Sequence, residues 1–138
     1  GMNVPIDLKP MVEAAAARRS FRLPTAGRIG RDYTHVSDVA ELIVRLALGQ
    51  PTDSVFYGAT GGPLTTAAEA ADVLNDLVGA NLIEVGEQWS DAERSEVPYR
   101  GVLDITNARN QLGWRPQFDL ASGLEQYLRR QEQFNAGR

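Results

Sequence analysis

The sequence predicts a small mixed α/β domain of about four main helices with short strands between them. Three features point to it. Apolar residues recur at helical spacing in several stretches, capping residues bracket those stretches, and the runs between them are short and β-prone. Helices and strands alternate, yet no strand-loop-helix unit is long enough for a complete parallel, doubly wound sheet. With 138 residues, 43% apolar and 23% charged, the chain falls in the globular range. Residues 2–138 read as one domain, and Gly1 ahead of Met2 reads as an expression-tag scar.

The first helix is expected from about Leu8 to Arg19, where Met11, Val12, Ala15 and Ala16 recur at helical spacing. Phe21-Arg22-Leu23 alternates like a short strand and stops at Pro24, and Gly27-Arg28-Ile29-Gly30 reads as a turn. Tyr33-Thr34-His35-Val36 reads as a further extended piece, with Ser37 as the N-cap of a second helix. That helix carries Val39, Leu42, Ile43, Leu46 and Ala47 as its apolar stripe and closes near Gly49. Asp38 and Glu41 suit its positive end, and Arg45 follows Glu41 by four residues.

Val55-Phe56-Tyr57 is a compact β-prone run bounded by glycines. Thr66 and Glu69 have the spacing of a capping box for a helix running to Gly79. Leu82 to Val85 reads as a strand, and Gly86 to Tyr99 as a long irregular segment. Val102-Leu103 reads as a short strand, and Thr106 as the cap of a brief helix ended by Gly113. Trp114 reads as a buried anchor beneath the last helix. Asp119 caps that helix, Leu120, Leu124, Tyr127 and Leu128 face inward, and the tail past Gln131 frays.

Composition narrows the functions open to the chain. A net charge of −4 with pI near 5.0 disfavours broad attachment to nucleic acid. The absence of cysteine removes disulfides, thiolate nucleophiles and Cys-ligated metals. No apolar run approaches the ~20 residues that span a bilayer, and no signal peptide is visible, so a cytoplasmic protein is expected. Thirteen of the 14 basic residues are arginine, with Lys9 the only lysine. That balance favours forked recognition of carboxylate or phosphate.

Three segments, in order, resemble the extended short-chain dehydrogenase/reductase family, which includes NAD-dependent nucleotide-sugar epimerases and dehydratases. The first is Arg31-Asp32-Tyr33-Thr34-His35-Val36-Ser37-Asp38-Val39-Ala40. The second is Val55-Phe56-Tyr57 with its glycine turn and the capped helix at Thr66. The third is Leu103-Asp104-Ile105-Thr106-Asn107-Ala108-Arg109, followed by Gln111-Leu112-Gly113-Trp114-Arg115-Pro116. The likeness covers roughly residues 8–130 but only the later part of a family member. It implies the C-terminal, substrate-binding subdomain of a Rossmann-type enzyme, without the complete Rossmann sheet.

Two family features are not found in this sequence. No Gly-x-x-Gly-x-x-Gly turn opens a helix, and Gly58-Ala59-Thr60-Gly61-Gly62 runs into Pro63 as a plain turn. The catalytic Tyr-x-x-x-Lys pair has no counterpart, because Pro5 stands four residues before the lone Lys9. The resemblance therefore implies a chain that binds no cofactor and catalyses no hydride transfer alone. NAD or NADP would serve a full-length parent, with a missing N-terminal Rossmann domain as partner.

The substrate-binding candidates are Arg31, Tyr33, Arg94 and Arg100. The resemblance assigns Arg31 to a substrate diphosphate; its alternative is an ion pair with Asp32 or Asp38. Arg94 lies ten residues before Asp104, as does the second diphosphate-binding arginine of sugar epimerases, although Ser95-Glu96-Val97 departs from the family's Pro-Gly-Asp. Arg100 is its rival in the same segment, and taken alone either arginine reads first as a solvated side chain. His35 reads as packing. The expected ligand is a nucleotide sugar or related sugar. The alternative function is a stand-alone, non-catalytic module that binds a ligand or forms a homodimer.

Overall fold

In the computed structural model, which describes residues 8–25, 27–89, 91–96 and 101–137, the alanine-rich start forms α1 (Leu8–Ala16). It ends three residues earlier than its composition suggests because its last turn closes on itself. Arg18 adopts the left-handed conformation at φ 53°. The amides of Arg18 and Arg19 then donate to the carbonyls of Ala15 (3.0 Å) and Ala14 (2.9 Å), the pattern of a Schellman cap. Arg18 Nη1 also donates to the carbonyl of Val78 at 2.7 Å, so the side chain of the residue that ends α1 also meets the end of a second helix.

β1 (Phe21–Leu23) and β2 (Ile83–Val85) pair in parallel, Phe21 opposite Ile83 and Leu23 opposite Val85. Parallel neighbours need a crossover, and α2 (Val36–Leu48) and α3 (Ala67–Val78) supply it. Gly86 follows β2 at a point where a Cβ would lie 2.0 Å from the Pro24 carbonyl oxygen, so no other residue fits. Asn75 of α3 acts as a substitute strand neighbour. Its Oδ1 accepts the Leu82 and Ile83 amides at 2.9 Å each, while Nδ2 donates to the Ile83 carbonyl at 2.9 Å.

The helix caps follow local chemistry. Thr66 and Glu69 form the reciprocal box at the start of α3, and Gly79 closes it at φ 65°. α4 (Asp91–Glu96) lies inside the stretch expected to be irregular. α5 (Thr106–Leu112) ends at Gly113, φ 60°; Ile105 holds its N-cap position, and Asp104 Oδ1 accepts the Thr106 amide at 2.8 Å. Asp119 caps α6 (Leu120–Ala136), which continues past Gln131 instead of fraying there. Glu125 and Arg129 pair across one turn of its outer surface.

Two apolar clusters form the interior. Met11, Val12, Leu74, Ile83, Leu124 and Leu128 join α1, α3, β2 and α6. Leu42, Ala59, Ile105, Ala108 and Trp114 join α2 and α5. Trp114 is fully buried in this second cluster, so it anchors α2 and α5, not the last helix as expected.

α2 departs most from its sequence reading. His35, not Ser37, is the N-cap, with Nδ1 accepting the Ser37 amide at 3.2 Å. Val36, expected to be extended, is the first helical residue. The helix is also turned about its axis by roughly a quarter turn. Leu42 is buried, but Ile43 and Ala47 of the predicted inner stripe face outward, whereas Asp38 is 2% exposed. The cause is polar. The Asp38 carboxylate accepts the Gln117 amide at 2.9 Å and the Phe118 amide at 3.2 Å, and its carbonyl accepts the Trp114 indole N–H at 2.9 Å.

Val55-Phe56-Tyr57 and Val102-Leu103 form no strand among the described residues. Phe56 packs on the second cluster, while the Val55 carbonyl accepts the Asn107 side-chain amide at 3.0 Å. β-propensity is realised only where a ladder partner exists, and among the described residues no strand adjoins either run.

Candidate functional site

Arg31 is fixed through its backbone. Its amide donates to the Thr65 carbonyl at 2.7 Å, and its carbonyl accepts the Thr65 amide at 2.9 Å. Gly30 permits this approach, since a Cβ there would lie 2.9 Å from Leu64 Cβ. The next residue adds a second anchor. The Asp32 carboxylate accepts the Thr60 amide (3.1 Å), the Thr60 hydroxyl (3.0 Å) and the Thr34 hydroxyl (2.6 Å). Asp32 and Asp38 thus each hold neighbouring loops together through hydrogen bonds.

Beyond this anchor, Tyr33 and His35 line a groove of about 660 Å³ against α6, with Gly123, Gln126, Tyr127 and Phe134 on the far wall. The His35 ring stacks on Phe118 at 3.9 Å and 26°. Its packing and capping contacts are those of a structural residue, as expected. The Gln126 Oε1 is buried with no hydrogen-bond partner among the described residues. Burial pushes the Tyr127 hydroxyl pKa upward, and Glu13 adds to the effect.

Arg94 lies on α4 and lines a smaller groove of about 380 Å³ with Glu87, Gln88 and Trp89. The Arg28–Glu87 ion pair, 2.6 Å, ties this segment to the turn that leads to Arg31. Tyr33 lines the larger groove, Arg94 the smaller one, and Arg31 neither. Arg100 lies outside the described residues. Gln126 and Phe134 escaped the sequence reading, and Tyr127 was read only as an inward-facing residue, although the spacing of Tyr127, Gln131 and Phe134 marks one face of α6.

The groove's edge is also an acid-sensitive helix start. The Asp119 pKa is lowered by its hydrogen bonds from the Ser122 hydroxyl and then the Ser122 amide. Its stabilisation is complete above the ordinary aspartate value of about 4 and is lost as pH falls through the lower folded value. Asp119→Asn keeps an effective cap but removes that titration. The acid limb of the urea midpoint plotted against pH is therefore expected to be shallower in the variant. Equal slopes would remove Asp119 from the acid response.

The glycine turn after Tyr57 packs against α5: Gly61 takes φ 66°, and a Cβ on it would lie 2.5 Å from Ile105 Cγ1. Among the described residues no three side chains converge as metal ligands, and no helix is long and apolar enough to cross a membrane.

The architecture is that of one part of an epimerase-type short-chain dehydrogenase. It superposes on WbmF of Bordetella bronchiseptica, solved in complex with NAD+, with a TM-score of 0.73 over 95% of this chain and 37% of that one, at 21% identity. In sequence, it is 32% identical over 95 residues to UDP-glucuronic acid decarboxylase 5 of Arabidopsis thaliana, covering 68% of this chain and 26% of the relative. It is likewise 32% identical over 102 residues to a putative UDP-glucose 4-epimerase of Methanocaldococcus jannaschii, covering 74% of this chain and 31% of the relative. No protein-family model matches the chain. The chain belongs to the extended short-chain dehydrogenase/reductase family of NAD-dependent epimerases and dehydratases, as a C-terminal part of it. It spans less than a third of either relative's own length.

Proposed function

We propose that the chain is the substrate-binding part of an NAD(P)-dependent nucleotide-sugar epimerase or dehydratase and is not catalytic alone. The observation that carries this is the doubly anchored Arg31. The Thr65 bridge and the Asp32–Thr60 hydrogen bonds fix its Cα, in a segment that resembles the family's diphosphate-binding loop. Both relatives named above act on UDP sugars. A guanidinium suits a diphosphate because its planar fork makes two parallel charge-assisted hydrogen bonds. Tyr33, Arg94 and Arg100 are the further substrate contacts of this reading. Hydride chemistry then belongs to a dinucleotide-binding Rossmann domain with which this part works, in the cytoplasm.

Calorimetric titration of the chain with UDP-glucose and UDP-glucuronate tests the assignment. Saturable binding is expected, and Arg31→Ala is expected to weaken it at least about tenfold, as for loss of a hydrogen bond to a charged group. Arg31→Lys should recover only part, since an ammonium keeps the charge but not the fork. Unchanged heat in Arg31→Ala would remove Arg31 from the site. No saturable heat with either sugar would overturn the function itself.

A further inference from the structure

We infer that Asp32 is a positioning residue, one that acts on the substrate only by aiming the neighbouring Arg31. The inference rests on the assignment of Arg31 to a nucleotide-sugar diphosphate. On electrostatic grounds an acidic residue beside such an arginine is out of place. A fixed negative charge repels a diphosphate, so a site built by charge alone would carry a neutral residue at position 32. The hydrogen bonds of Asp32 supply the reason for it. The Thr60 amide reaches both carboxylate oxygens at 3.1 Å, the Thr60 hydroxyl reaches Oδ2 at 3.0 Å, and the Thr34 hydroxyl reaches Oδ1 at 2.6 Å. The donors are two hydroxyls and one backbone amide, and their shared effect is to clasp the Arg31 segment to the turn at Thr60.

A direction is fixed only by attachment at two points. The Thr65 bridge holds the amide and the carbonyl of Arg31, but an isolated bridge leaves the chain able to pivot about it. The clasp on Thr60 adds a second point one residue further on. Held at two successive residues, the chain presents the Arg31 side chain in one direction. The segment that supplies both points is itself stiff. Gly61, next to Thr60, packs so closely on Ile105 that a Cβ there would lie 2.5 Å from Ile105 Cγ1, and Thr66, next to Thr65, is the N-cap of α3. The clasp therefore ties the aim of Arg31 to α3 and to the start of α5. Aim decides affinity here, because the two parallel bonds of a guanidinium fork need alignment and weaken steeply without it.

Calorimetric titration with UDP-glucose in two backgrounds tests the inference, with circular dichroism as the check on folding. Loss of a repelling charge tightens binding, whereas loss of a positioning group weakens it. Asp32→Ala does both, and a net weakening of about tenfold is expected, since lost alignment outweighs one screened charge. Asp32→Asn removes the charge but keeps an acceptor for the Thr60 amide, and the two hydroxyls can turn to accept from its NH₂. Its affinity should equal or exceed that of the unaltered chain. In the Arg31→Ala background no fork remains to be aimed, so Asp32→Ala should cause no further loss. Should Asp32→Ala fail to fold, Thr60→Val removes one hydroxyl donor and should weaken binding about threefold, again only where Arg31 is present. Undiminished binding in Asp32→Ala, or in Thr60→Val where it stands in, overturns this inference alone as long as Arg31→Ala still weakens binding. An equal loss in the Arg31→Ala background would mark a general effect on the fold and overturn it, and Asp32→Asn as weak as the alanine variant would assign the effect to charge and do the same. No saturable heat in the unaltered chain overturns it together with the nucleotide-sugar reading.

Discussion

Replacing Trp114 with alanine is expected to lower the unfolding free energy by about 3–5 kcal/mol, in the range for a large aromatic removed from a packed interior. Trp114 is fully buried against Leu42, Ala59, Ile105 and Ala108, which come from α2, the loop after it, the residue before α5 and α5 itself. These elements can collapse only partly into the space left, because each is also fixed elsewhere. A domain of this size is stable by about 5–15 kcal/mol, so such a loss is a large fraction of the total. Trp114→Phe separates two contributions. It retains most of the apolar volume but leaves the Asp38 carbonyl without its indole donor, an effect of about 1–2 kcal/mol. Urea unfolding of the three proteins measures both. A loss below about 1 kcal/mol in the alanine variant would show that the cluster does not hold α2.

Asp38→Ala should cost a comparable amount, about 2–5 kcal/mol, for a different reason. Its carboxylate satisfies two backbone amides, those of Gln117 and Phe118. Removing it leaves two donors in a partly buried loop, each worth about 1–3 kcal/mol when unmet. Asp38→Asn is the sharper probe. The amide retains one acceptor oxygen but turns an NH₂ toward the second donor, so it should recover about half of the alanine loss. Both variants should also loosen Phe118 and with it the His35 stack, visible as faster hydrogen exchange at the Ser37 amide. Full stability in Asp38→Ala would mean that the loop is held by other contacts. A double-mutant cycle with Trp114→Phe should show coupling above about 0.5 kcal/mol, since the two residues join the same pair of segments.

What the sequence made legible was local chemistry. The Thr66–Glu69 box, the Asp119 cap and the closures at Gly79 and Gly113 involve residues three to five apart, and all occur at their expected places. Partners far along the chain were not legible. Asp38 satisfied a rule for the first turn of a helix, but its actual partners lie 79 and 80 residues later. That distant contact rotates α2 and sends Ile43 to the outside. His35 took the capping position from Ser37 because an imidazole nitrogen accepts as a hydroxyl does, a choice that spacing alone does not settle. Of the candidate site, the order of the segments from Arg31 to Asp38 and from Asp104 to Trp114 was readable. The groove wall on α6 was not, because Tyr127 satisfies both an inward stripe and a lining.

The pairing of Phe21 with Ile83 has a kinetic consequence. Two three-residue strands contribute few hydrogen bonds, yet bringing them together requires a loop of about 60 residues to close, which costs entropy before any ladder bond repays it. Such a contact forms late, once helices within the loop have shortened the effective chain. Refolding of this protein should therefore be limited by docking β1 onto a preformed helix–strand hairpin of α3 and β2, which Asn75 already joins through three short-range bonds.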